Sequence, residues 1–342
     1  MTAPATTTAP ATTARRWIAT IDSHTAGHPT RVVTGGLPVL SGDSVRARRD
    51  DFRTRFDALR TFLLHEPRGH AAMVGVVMTE SRVADFGAFF LGSYTYLEMC
   101  GHATIGLAVT LDHMGLIGPA EAAETAFTLE VPAGVITVRV SRQAGRVAAV
   151  TFENVPARVA ASGVPVSAGG VAVCADVAWG GNWYGLVPAA EAGIALEPAG
   201  VSQAMATGAV LKARLNAMIA AGAVDGVHEP VDSILFYDTQ GRGAGLVSRQ
   251  LVVLEANKFD RSPCGTGSSA RLAQLVARGE LAPGETIRTR NILGVDFTAT
   301  PVAIAGEPGS IRPHIAGLAH ITGEHRFVLA GGDPLPDGFL CR

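Results

Sequence analysis

The sequence predicts an α/β fold in which two halves repeat one plan. Three observations predict it. Strand-like runs alternate with four helix-like runs, at 44–64, 102–114, 202–221 and 265–278. The order strands, long helix, strands, Cys-Gly with a helix, strands occurs before Val155-Pro156 and again after it. Each half carries one Cys-Gly pair at a helix mouth, Cys100-Gly101 and Cys264-Gly265. A length of 342 residues suits roughly two domains.

The elements follow from local patterns. Trp17 to His24 alternates apolar and polar residues and reads as a strand, with Thr30 to Thr34 as another. Gly35-Gly36-Leu37-Pro38 is a turn. The run from Ser44 to Leu64 places Val45, Phe52, Phe56, Leu59 and Leu63 on one helical face, with Asp43 as its expected cap and Pro67 barring its continuation. Met73 to Met78 and Phe86 to Leu91 read as buried strands, and the Cys100 helix stops near Gly115. Three strands follow at Phe127–Val131, Val135–Val140 and Val147–Phe152. In the second half, Val171–Trp179 and Trp183–Val187 are strands joined by a Gly180-Gly181-Asn182 turn. The next helix has Met205, Leu211, Leu215, Met218 and Ile219 on its apolar side. Strands at Ser233–Tyr237 and Leu246–Leu254 lead into the Cys264 helix. Thr286–Arg290, Phe297–Ile304, Ile311–Thr322 and Arg326–Leu329 complete the reading.

Composition excludes several classes of function. Apolar residues make up 47% and charged residues 17%, which supports a sizeable core and argues against disorder. The net charge of -2, with no basic stripe, argues against a nucleic-acid partner. No stretch reaches the ~20 apolar residues of a membrane helix. Residues 1–14 are nearly all Thr, Ala and Pro and read as a disordered tail, not a secretory signal. The cytoplasm is the default, where Cys100, Cys174, Cys264 and Cys341 remain thiols. Cys174, among Val and Ala, reads as a core residue, and Cys341 as incidental. His24 and His28 lie in a loop that reads as a structural turn, so no metal is expected. Lysine is scarce. Lys212 reads as a solvated charge, and Lys258, two residues from Asp260, is left open by position. Without a phosphate-cradling loop, pyridoxal phosphate is not expected. The Gly-Lys-Ser/Thr ending of a P-loop is absent after Cys264-Gly-Thr-Gly.

The chemistry rests on the two Cys-Gly starts. The first N–H groups of a helix lack internal partners and carry partial positive charge. A thiol there is expected to have a lowered pKa, and the free amides suit a carboxylate. Inverting an amino-acid α-carbon needs a base on one face and an acid on the other. Two thiols, one ionised and one protonated, serve both directions by exchanging roles. The carbanion's charge spreads into the carboxylate, where aimed donors stabilise it. His102 and Asp260 lie within reach to hold the amine or orient a thiol. From spacing alone, two-thiol catalysis, a phosphate turn and structural cysteines all stay open.

Met99-Cys-Gly-His-Ala-Thr-Ile-Gly106 and Asp260-Arg-Ser-Pro-Cys-Gly-Thr-Gly267 resemble the two catalytic signatures of the proline racemase family. That family includes 4-hydroxyproline 2-epimerases and trans-3-hydroxy-L-proline dehydratases. Segments 21–31, Glu66-Pro-Arg-Gly-His70 and Gly180-Gly-Asn182 share the likeness, which runs from about Trp17 to Phe339. The resemblance implies a diaminopimelate-epimerase-like fold of two lobes, each a curled sheet around a central helix, with the site between them. The lobes are then 15–156 and 157–324, with the last strand, about 325–342, returning to the first. It implies Cys100 and Cys264 as acid/base thiols. Gly101, His102, Gly265 and Thr266 would hold the carboxylate, and His102 with Asp260 would face the ring nitrogen. It implies no cofactor and a small amino-acid substrate, and leaves a homodimer open.

Cysteine at both positions points to a racemase or 2-epimerase, since the dehydratases resemble the family with threonine at the second. Ser248-Arg249 through Phe259 resembles the epimerase branch, while Ser233 and Leu254 depart from it. The expected function is a cofactor-independent 4-hydroxyproline 2-epimerase. The alternatives are a proline racemase or a relative acting on another cyclic amino acid, a non-catalytic imino-acid-binding protein, and a thiol redox enzyme.

Overall fold

The computed structural model describes residues 16–341, so the tail expected at 1–14 lies outside them. The first half runs β1 (Arg16–Thr25), β2 (His28–Gly35), α1 (Val45–Leu64), β3 (Val74–Thr79), β4 (Phe86–Gly92), β5 (Tyr96–Leu97), α2 (Gly101–His113), β6 (Glu124–Val131), β7 (Gly134–Gln143) and β8 (Arg146–Glu153). Then come β9 (Ala157–Ala168), β10 (Val171–Trp179), β11 (Trp183–Pro188), α3 (Val201–Ala220), β12 (Ser233–Gln240), β13 (Val247–Glu255), β14 (Lys258–Asp260), α4 (Gly265–Ala277), β15 (Ile287–Arg290), β16 (Asp296–Ala303), β17 (Ser310–Gly317) and β18 (Ala319–Leu329).

Strand pairing repeats between the halves. In the first, β1–β2 and β3–β4 are antiparallel, β2–β3 and β4–β6 parallel, and β6, β7 and β8 form a meander. In the second, β10–β11 and β12–β13 are antiparallel, β11–β12 and β13–β15 parallel, and β15, β16 and β17 form the meander. Two strands cross over. β9 leaves the first meander and pairs with β10, while β18 leaves the second and pairs with β1 along the whole of that strand. β17 also pairs with β8 and β9, so the sheet is continuous.

Each half wraps one helix. Gly101–Leu111 of α2 and Gly265–Leu275 of α4 are buried throughout, as expected of a helix enclosed on all sides. The outer helices are one-sided. α1 buries Val45, Phe52, Leu59, Phe62 and Leu63, and α3 buries Ala204, Gly208, Leu211, Leu215 and Ile219. Each such Leu or Phe contributes roughly 1.5–3 kcal/mol. Among the described residues, no helix is long and apolar enough to cross a membrane.

Several expectations are corrected. Ser44, not Asp43, caps α1, because its hydroxyl accepts the Ala47 amide at 3.2 Å. Phe56 is half-buried at a kink in the same helix. β9 was not expected. Its buried alternation is short, Val164 and Val166 between exposed Gly163, Pro165 and Ser167, and the glycine and proline mask it as a strand signal. The run 311–322 is two strands, divided at Leu318. Cys174 is exposed, since β10 turns Val173 and Ala175 inward and the residue between them outward. Lys212 is not simply solvated, for its ammonium donates to the Leu254 carbonyl at 2.7 Å and pairs with Glu255 at 3.0 Å. All four cysteines are free thiols.

Candidate active site

The starts of α2 and α4 meet. A Cβ built on Gly101 would lie 2.6 Å from the Gly265 Cα, and the Phe152 ring tip closes the same contact at 2.8 Å. Only glycine on both sides permits this approach. The chain thereby sets Cys100 and Cys264, the N-cap residues of the two helices, on one cavity with about 440 Å³ between its walls. Cys100, Gly101, His102, Asp260, Cys264, Gly265 and Thr266 all line it, so the structure brings all seven expected residues together. The amides of Gly101, His102, Gly265 and Thr266 have no acceptor among the described residues.

The Cys264 backbone is unusual, with φ 63° and ψ 109°. A non-glycine residue held there costs about 1–3 kcal/mol. The preceding loop holds it in place. Asp260 Oδ1 accepts the Ser262 amide and hydroxyl, both at 2.8 Å, and Ser262 Oγ accepts the Cys264 amide at 3.0 Å. The Pro263 carbonyl accepts from Gln250 and from Ser268, the latter at 3.2 Å.

The thiols have different neighbours. Cys100 Sγ lies 3.4 Å from His102 Nδ1. Cys264 Sγ accepts the Gly267 amide at 3.3 Å and lies 3.4 Å from the Tyr184 hydroxyl, which itself lies 2.6 Å from Thr266 Oγ1. The expectation of lowered thiol pKa values is overturned. Burial pushes the Cys100 thiol up to about 12. The Asp260 charge adds to this, and the Ala103 amide and Lys258 only partly oppose it. Burial and then Asp260 raise Cys264 as well, against the Tyr184, Gly267 and Thr266 donors. A helix start favours the thiolate, but removing it from water costs more here.

Sequence reasoning missed His28, Asn182 and Tyr184 as cavity residues and left Lys258 open. His28 is buried, its ring 4.2 Å from that of His102, and its Nδ1 accepts the Arg261 amide at 2.9 Å. Burial lowers both histidines, His102 to about 4 and His28 well below its ordinary value. Both rings are therefore neutral at pH 7. The Ser-His-Thr-Ala-Gly-His-Pro loop, which reads as a structural turn, held the available signal. Asn182 donates to the Met99 carbonyl at 2.7 Å and to Thr266 Oγ1 at 3.3 Å, so the Gly180–Asn182 turn braces both helix mouths. Tyr184 is two residues beyond it. Lys258, left open by position, is buried with its ammonium 2.9 Å from Ser93 Oγ. His28, His102 and Asp260 are close enough to share a cation. However, His28 Nδ1 and Asp260 Oδ1 are already spent on the 260–264 loop.

Two thiols, four unpaired amides and a carboxylate surround one small cavity, an arrangement chemically suited to moving a proton at a carbon beside a carboxylate. Known proteins place the chain more closely. The family model described as proline racemase matches residues 20–340, and the chain belongs to that family. It is 37% identical over 333 residues to a proline racemase of Clostridioides difficile, covering 96% of this chain and 99% of that one. It is 38% identical over 318 residues to a 4-hydroxyproline epimerase of Burkholderia pseudomallei, covering 92% and 96%. A crystal structure of a hydroxyproline epimerase from Agrobacterium vitis, with bound trans-4-hydroxy-L-proline, superposes with a TM-score of 0.85 at 28% identity, covering 95% and 96%. A PhzF-family protein of Bacillus anthracis, at 15% identity and TM-score 0.57, shares the fold alone. The fold is the expected diaminopimelate-epimerase-like α/β one.

Proposed function

We propose that this protein is a cofactor-independent 4-hydroxyproline 2-epimerase that interconverts trans-4-hydroxy-L-proline and cis-4-hydroxy-D-proline. The observation that carries the reading is the pair of buried thiols at facing helix starts on one cavity. The epimerase relatives and the hydroxyproline-bound neighbour support the substrate.

In this mechanism the substrate carboxylate docks on the amides of Gly101, His102, Gly265 and Thr266. The ring nitrogen faces Asp260 and the neutral His102. The thiolate of one cysteine takes the α-proton, leaving the electron pair spread over Cα and the carboxylate, where the amides oppose the growing charge. The thiol of the other cysteine gives its proton to the opposite face. Product leaves with the two protonation states exchanged. The raised thiol pKa values make each thiolate a stronger base, which narrows the gap to the weakly acidic α-proton. The substrate's ammonium offsets the Asp260 charge, which adds to burial in keeping the thiols neutral. We place the protein in the cytoplasm, a reading supported by four free thiols.

A second reading, proline racemase, is favoured by the apolar wall of Val74, Leu97, Val252 and Leu254 and by the Clostridioides difficile relative. Proton NMR in D2O tests both. Loss of the α-proton of trans-4-hydroxy-L-proline with appearance of its cis-D epimer, faster than L-proline exchanges, supports the first. Faster inversion of proline supports the second. Tight binding with no exchange on either substrate would leave a non-catalytic binding protein.

A further inference from the structure

The turn between β1 and β2 touches both helix mouths. Thr25 Oγ1 donates to the His102 carbonyl, on α2, at 2.8 Å. His28 reaches the other side, where its Nδ1 accepts the Arg261 amide at 2.9 Å, in the loop that leads into α4. Asn291, from the turn between β15 and β16, ties the same two segments. It donates to the Ala26 carbonyl at 3.0 Å and to the Arg261 carbonyl at 2.6 Å. Arg261 is thus held at its N–H by His28 and at its C=O by Asn291. From there the hold passes to the thiol. Asp260 Oδ1 accepts from Ser262, Ser262 Oγ accepts the Cys264 amide, and Cys264 keeps its φ of 63°.

This chain of bonds requires a neutral imidazole. His28 Nδ1 and Asp260 Oδ1 lie 3.3 Å apart. Each acts as an acceptor, and each is met by a different N–H of the loop. A proton on Nδ1 removes the acceptor of the Arg261 amide and places a donor within reach of Oδ1. That donor competes with Ser262 for the carboxylate oxygen that orders the loop. Among the described residues, Asp260 is the carboxylate within 4.0 Å of His28. Against its pull stands burial, the largest effect. The His102 ring on α2, centred 4.2 Å away, adds to burial, as do Lys258 on β14, Arg261, and His70 ahead of β3. Together they keep the ring neutral at pH 7 and give way as the pH falls.

We propose that His28 is a positioning residue for Cys264: its neutral ring seats the 260–264 loop through the Arg261 amide, its protonation unseats that loop, and it thereby sets the acid limit of the reaction. This rests on the epimerase reading above.

The test compares the wild type with His28→Leu, which has no acceptor, and His28→Asn, whose Oδ1 replaces the Nδ1 acceptor and does not titrate. It measures kcat and KM for trans-4-hydroxy-L-proline and L-proline between about pH 4.5 and 8. At the upper end, His28→Leu should lower kcat about tenfold or more with KM changed by less than about threefold, because a displaced reacting group costs rate before it costs binding. His28→Asn should recover most of that kcat. Wild-type kcat should fall in acid, at a pH below the ordinary 6.5 of histidine, and His28→Asn should lose that fall. Wild-type kcat in His28→Leu, or the same acid limb in wild type and His28→Asn, overturns the role. Should His28→Leu not fold, the acid limb decides alone. A second readout needs no turnover. Cys264 is 5% exposed, so releasing its loop admits a reagent. Iodoacetamide labelling, mapped by mass spectrometry, should raise the Cys264-to-Cys100 ratio about threefold or more in His28→Leu, roughly the worth of one lost hydrogen bond. In His28→Asn the ratio should stay near that of the wild type. If the wild type turns over neither compound and the ratio still rises in His28→Leu, the positioning stands and the epimerase reading falls. An unchanged ratio overturns the positioning even where turnover is normal.

Discussion

Gly101 and Gly265 stand back to back, so near that a methyl on either would overlap the other's Cα, at 2.6 and 2.7 Å. This contact fixes the distance between two helix starts that come from different halves of the chain. Alanine at either position must separate them. Overpacking of this kind costs about 1–3 kcal/mol, and a displacement near 1 Å at reacting groups costs about 100-fold in rate. Gly101→Ala and Gly265→Ala should each lower kcat/KM by about that factor, while calorimetry shows a folded protein with a reduced Tm. Wild-type activity in either would mean that the helix starts need not touch.

Cys100→Ser and Cys264→Ser should each abolish inversion, a loss of more than about 1,000-fold, since a positioned acid or base contributes about 10²–10⁴. The two variants differ in what remains. Each retains one thiol facing one side of the α-carbon. Exchange of the α-proton with D2O without inversion, seen by NMR for one enantiomer only, would assign that thiol to its face. Inversion at the wild-type rate in either variant rules out a two-base mechanism.

Tyr184 touches the Cys264 sulfur at 3.4 Å and Thr266 Oγ1 at 2.6 Å. Removing its hydroxyl deprives the thiolate of a donor. Tyr184→Phe should cost about tenfold in kcat, roughly one hydrogen bond to a charged group, and move the alkaline side of the pH–rate profile upward. An unshifted profile would confine Tyr184 to packing.

Stability should fall in mild acid. Both His28 and His102 have folded-state pKa values below the ordinary 6.5, chiefly through burial, with His102 near 4. Between those values the unfolded chain binds more protons than the folded one. Their contribution is therefore complete above about pH 6.5 and is lost as pH drops toward 4. Tm should decline by about 3 °C or more from pH 7.5 to 5.0, and His102→Asn should flatten that slope. An equal slope in the variant would assign the acid sensitivity elsewhere.

Much of this molecule is legible in its residues, for physical reasons that differ by element. The helices after Cys100 and Cys264 announce themselves because each apolar run follows a Cys-Gly start, and the outer helices because Leu211, Leu215 and Ile219, or Phe52 and Leu59, recur at helical spacing. β9 is not legible, because its alternation is confined to Val164 and Val166 and is interrupted by Gly163 and Pro165. The seven cavity residues were visible because they sit beside the two starts in sequence. His28, Asn182 and Tyr184 arrive from distant strands and turns, and local pattern cannot report that. The thiol pKa values were misjudged for the same reason. The helix start is a local feature and was counted, whereas burial by the other half of the chain is not local and proves the larger effect.

The return of β18 to β1 has a consequence for any attempt to divide the protein at Val155-Pro156. A cut at Val155-Pro156 yields no self-sufficient piece. The first fragment would lack the strand that pairs with β1 from Arg16 to Thr25, and its open row of backbone N–H and C=O groups would be free to recruit foreign strands. The second would carry β18 with nothing to lie against. The two helix mouths are thus joined like the arms of a clasp, the first fastened by β18 from the second, and a gene fragment encoding the first arm alone should express as an aggregating chain until its complement is supplied.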